Sequence, residues 1–78
     1  MNEQYEKHDL QIKIDNLEYT VAELKKQLRR IKTTIKKVEK LGLIPPTEII
    51  IKKETLEVEL KELKQDLKAL KKVAELLK

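Results

Sequence analysis

The chain is predicted to be all-α: an antiparallel helical hairpin of coiled-coil type, pairing with a second copy into a four-helix-bundle dimer. Three observations lead there. Apolar residues recur at alternating steps of four and three over most of the 78 residues. The only Gly and both Pro fall together in Gly42-Leu43-Ile44-Pro45-Pro46. Charged residues make up 41% of the chain and aromatics 3%, which suits a long helical seam better than an aromatic-rich core.

The first helix is expected over about 3–41. Its apolar positions are Leu10, Ile14, Leu17, Val21, Leu24, Leu28, Ile31, Ile35 and Val38. Ile14, Val21, Leu28 and Ile35 then occupy position a of a heptad abcdefg, and the others occupy d. Gly42 supplies a residue that tolerates positive φ where this helix must end. Pro45 pushes Ile44 out of the α region, and Pro46 does the same to Pro45, so a corner is expected at 42–46. The second helix is expected over about 46–78, with Pro46 in its first turn and Glu48 close behind, at the positive end of the helix dipole. Its seam is Leu56, Leu60, Leu63, Leu67, Leu70, Ala74 and Leu77.

A short corner makes the two helices antiparallel neighbours within one 78-residue domain. Centring the corner pairs Ile14 with Leu77, Leu17 with Ala74, Val21 with Leu70 and Ile35 with Leu56. That register leaves the residues up to about Lys13 overhanging. Among the flanking charges, Glu18 reaches Lys71 and Lys32 reaches Glu57, while Lys25 near Lys64 is a mild conflict. Exposed pairs of this kind are each worth about 0–1 kcal/mol, so they tune the register without setting it.

Some apolar residues lie off the seam. Tyr5, Ile12 and Tyr19 repeat every seven residues on the outer face of the first helix. Ile49, Ile50, Ile51 and Val58 widen the apolar face of the second helix near the corner, and Val73 and Leu76 widen it again near its end. Tyr5, Ile12, Tyr19, Ile50, Ile51 and Val58 are expected to form a self-association surface, joined in one symmetric contact between antiparallel hairpins.

The chemistry of catalysis is thinly represented. There is no Cys and no Ser, and the lone His8 has poorly placed carboxylate neighbours. Gly42 is alone, so no phosphate-cradling loop is available. Glu57, Glu59, Glu62 and Asp66 alternate with Lys in the manner of a solvated helix face. The chain reads as no enzyme, with no catalytic residue, metal or cofactor. No apolar run is long enough for a membrane span. A basic amphipathic helix could lie on a membrane, but its apolar face is taken by the seam, so no membrane partner is expected. An acidic, polar start without a secretory pattern, together with the missing Cys, points to a cytoplasmic protein.

Charge is segregated along the first helix. From Lys25 to Lys40 there are eight bases and one acid, Glu39, whereas Met1 to Glu23 holds six acids and two bases. Lys26, Arg29, Arg30, Lys36, Lys37 and Lys40 fall on the outward b, c and f positions. Such a stripe is either a solvating face balanced by the acids of the second helix or a docking face for phosphates or an acidic protein. Arg29-Arg30 and Thr33-Thr34 are candidate phosphate contacts. No aromatic is interleaved for base stacking, so any nucleic acid would be read by shape and charge.

Two heptad helices about a short corner resemble the small Rop-type proteins, in which two hairpins form an antiparallel four-helix bundle that serves as an adaptor. The resemblance rests on layout, with longer arms here and no matching RNA-contact motif, and it carries over no residue. It implies a small, non-enzymatic, homodimeric hairpin adaptor or regulator working by self-association and protein–protein contact. A nucleic-acid-binding accessory protein using the basic face, and a structural spacer or assembly scaffold, are the alternatives.

Overall fold

The computed structural model describes residues 3–77, with side chains from Lys7 onward. Two helices, α1 (Glu3–Lys40) and α2 (Thr47–Leu76), pack against each other as a hairpin measuring 60 × 16 × 14 Å. The 38 residues of α1, at a rise of about 1.5 Å each, span nearly the whole rod.

The corner is built from backbone chemistry. Gly42 has φ 77 and its N–H bonds the carbonyl of Glu39 at 2.9 Å. The Leu43 N–H reaches back to the carbonyl of Val38 at 3.2 Å. These two bonds form a Schellman closure, which satisfies carbonyls that the helix end would otherwise strand. Nothing lies within 4 Å of where a Cβ on Gly42 would sit, so backbone conformation rather than crowding selects glycine here. Pro46 stands one position earlier than expected: it is the N-cap of α2, with φ −57 and ψ 140, and not a first-turn residue. Its carbonyl accepts the N–H groups of Ile49 and Ile50 at 3.0 and 3.3 Å. Having no side-chain oxygen, it caps none of the first-turn donors, while Glu48 places a negative charge beside them.

The seam follows the heptads. Ile14, Val21, Leu56 and Leu60 are buried, and the remaining a and d residues from Leu10 to Ala74 are half-buried. Two helices alone close only part of most core side chains away from water.

The register differs from the sequence expectation. Leu10 shares a groove with Ala74 and Leu77, Ile14 with Ala74, Leu17 with Leu70, and Ile35 with Lys53. Each α2 residue therefore meets the core position one step earlier along α1 than expected, and a faces a while d faces d. Leu10 lies on the paired part of the rod, which shortens the expected overhang; Met1 and Asn2 lie outside the described residues.

Candidate interaction surfaces

In a two-stranded coil, position f points directly away from the partner helix. Ile12 and Tyr19 occupy f on α1 and are exposed, Tyr19 by 69%. Ile51 and Val58 occupy f on α2 and are likewise exposed. The two stripes thus lie on opposite backs of the hairpin, one toward the open end and one toward the corner. A single two-fold contact with a second hairpin reaches one stripe or the other, not both, so the one-contact arrangement expected from the sequence does not fit this placement. Ile50 is half-buried beside the seam. The side chain of Tyr5 lies outside those described.

The six bases Lys26, Arg29, Arg30, Lys36, Lys37 and Lys40 are all exposed on the outside of α1. The ion pairs among the described residues are Lys53–Glu57 at 3.7 Å and Lys71–Glu18 at 4.0 Å, and neither involves these six. The expected Lys32–Glu57 pair is replaced by the in-helix pair of Glu57 with Lys53. Thr33 and Thr34 donate their hydroxyl protons to the carbonyls of Arg29 and Arg30 at 2.9 and 3.0 Å. Those protons serve the helix rather than a phosphate, so the phosphate-binding capacity of this face rests on the guanidinium and ammonium groups. No group of three metal-ligating side chains occurs among the described residues, and His8 is exposed.

The two lateral sides of the hairpin are chemically unequal, which the sequence reading did not weigh. Along the a/e side, one groove is lined by Lys32, Ile35, Lys36, Glu39 and Lys53, and another by Gln11, Glu18, Lys71 and Glu75 around Ile14 and Ala74. The d/g side carries a groove lined by Lys13, Asn16, Leu17, Asp66, Ala69 and Leu70. Position e of α1 is charged in four successive heptads (Glu18, Lys25, Lys32, Glu39), whereas position g reads Lys13, Thr20, Gln27, Thr34, Leu41, with Lys52, Glu59 and Asp66 at g of α2. Both rows are exposed. A heptad wheel drawn for both flanks would have shown this asymmetry.

The corner is a further apolar surface. Leu41, Leu43 and Ile44 are exposed, Ile44 by 92%. They are exposed because the chain turns there, and nothing among the described residues covers them.

Fold and surfaces together define a two-helix antiparallel coiled-coil hairpin with segregated charge and unfilled apolar faces. Comparison of the chain with protein-family models, with curated proteins and with solved structures finds no match. No described helix is long and apolar enough to cross a membrane.

Proposed function

We propose that this protein is a small, non-enzymatic hairpin adaptor or regulator that acts by self-association and protein–protein contact, as a homodimer in which two hairpins assemble into a four-helix bundle. The observation that carries the reading is the accessible area of the chain, 6593 Å². A compact monomer of this mass exposes about 4,900 Å². The excess, about 1,700 Å² per chain and so about 3,400 Å² for two, falls in the range of about 2,000–5,000 Å² that obligate homodimer interfaces remove in total. Half-buried seam residues say the same in atomic terms, since a second hairpin would complete their burial. The outer stripes Ile12–Tyr19 and Ile51–Val58 then remain for a different protein.

Sedimentation equilibrium across a hundredfold range of concentration tests this directly. A dimer with a dissociation constant in the micromolar range or below is expected. A monomer throughout would overturn the self-association reading.

A second reading has its own observation. The exposed bases of α1 form an outward stripe with only Glu39 among them, which suits a polyanion such as duplex nucleic acid. The two readings separate on salt-dependent duplex binding.

A further inference from the structure

We propose that the second copy docks on the d/g side of the hairpin, with the two hairpins parallel and their corners at the same end of the bundle. This rests on the self-association reading above and adds its face and orientation.

The face follows from chemistry. A partner on the a/e side would have to cover Glu18, Lys25, Lys32 and Glu39 of α1 and Glu57, Lys64 and Lys71 of α2, and desolvating such a row costs more than it returns unless every charge is paired. A partner on the d/g side covers fewer charges, Lys13 of α1 and Lys52, Glu59 and Asp66 of α2, together with Thr20, Gln27, Thr34 and Leu41, and fills the groove between Leu17 and Leu70. Ala69, Val73 and Leu76 of α2 extend the same side toward the open end, with Val73 and Leu76 exposed.

The orientation follows from symmetry and charge. Two hairpins that share one face admit two kinds of two-fold axis. An axis across the rod makes them antiparallel and lays α2 against the partner's α2. At full overlap the g row Lys52, Glu59, Asp66, Val73 then meets itself reversed, and Glu59 opposes Asp66 twice. An axis along the rod makes the hairpins parallel and lays α1 antiparallel to the partner's α2. Such an axis adds no shift along the rod, so each α1 residue is level with the same α2 residues in both copies. Thr20 then flanks Asp66 of the second copy, Gln27 flanks Glu59, Thr34 flanks Lys52 and Lys13 flanks Val73. No like-charge pair arises among these flanking positions, and hydroxyl and amide groups face charged hydrogen-bond partners. The parallel arrangement also brings Leu41 level with the second copy's corner, which reduces the exposure of both apexes.

The chain has no Cys, so Thr47→Cys places a single nitroxide label at each corner for pulsed electron-spin distance measurement. Parallel pairing is expected to give an interspin distance on the order of 20–30 Å, set by helix spacings of about 8–10 Å and the label arms. Antiparallel pairing would place the labels near opposite ends of the 60 Å rod, and a distance in that range would overturn the proposed orientation. Thr20→Glu with Thr34→Arg sets like charges against Asp66 and Lys52 of the second copy and should abolish pairing while the far-ultraviolet circular dichroism stays helical. If those substitutions leave the dimer intact and Ile12→Lys with Tyr19→Lys dissociates it, the proposed face is wrong. A sample that sediments as a monomer and shows no interspin distance would instead reject self-association itself.

Discussion

Glu18 of α1 and Lys71 of α2 meet across the hairpin, carboxylate Oε1 to Nζ, at 4.0 Å. Both are at heptad position e, and in an antiparallel pair e flanks e. They meet where Ile14 lies beside Ala74, and these four residues line one groove. The charge pair expected from the sequence is present, in a register one core position from the expected one.

That pair orders the register weakly. Its side chains are 48% and 54% exposed, so solvent screens the attraction. A double-mutant cycle with Glu18→Gln and Lys71→Gln should give a coupling of about 0–1 kcal/mol in urea unfolding, falling toward zero in ~1 M salt. A coupling well above that range would mean the pair sits in a drier environment than its exposure indicates.

The seam should dominate stability. Leu60 is 5% exposed and Val58, two residues away on the opposite face of α2, is 57% exposed. Leu60→Ala should cost about 2–5 kcal/mol, through lost transfer energy and the cavity left behind. Val58→Ala should stay within about 0.5 kcal/mol in chemical denaturation. Equal losses at both sites would indicate that Val58 is covered in solution.

At the corner, Gly42→Ala should destabilise by about 1–2 kcal/mol through left-handed backbone strain, because the space for a methyl group is open. Gly42→Asn should cost less, since Asn tolerates that conformation. Replacing Gly42, Pro45 and Pro46 together by Ala should let the heptads run on as one helix, with a longer maximum dimension in small-angle scattering. An unchanged scattering profile would show that these three residues do not dictate the reversal.

The basic stripe separates the two functional readings. Reversing Lys26, Arg29, Lys36 and Lys37 to Glu should leave thermal stability near that of the parent, because all four are exposed. The adaptor reading expects no complex of the parent with duplex DNA or RNA at low micromolar concentration and ~100 mM salt. The nucleic-acid reading expects a complex whose log–log salt slope has a magnitude near 3.6, from about 0.9 per contact over about four contacts on DNA. In that case the four reversals should abolish it, whereas Thr33→Val with Thr34→Val should leave it intact, since those hydroxyl protons are held by the helix.

What the sequence by itself determined is membership: which residues line the seam, where the chain reverses, and which bases point outward. Heptad spacing and the single Gly-Pro cluster suffice for this, because each depends on local backbone geometry that a few neighbouring residues dictate. The register was left to the tertiary structure. Sliding α2 by one core position exchanges a-against-d facing for a-against-a and d-against-d while keeping apolar residues opposite one another, so periodicity alone cannot choose. The choice falls to the closed corner, where the bonds from Gly42 and Leu43 and the cap at Pro46 set how far apart the two helices begin. The two outer stripes were each legible from spacing, but their opposition was not: only when the seams face does every f position of α1 point away from every f position of α2. The groove between Leu17 and Leu70 has the same origin, since it belongs to neither helix and exists only where their d positions meet.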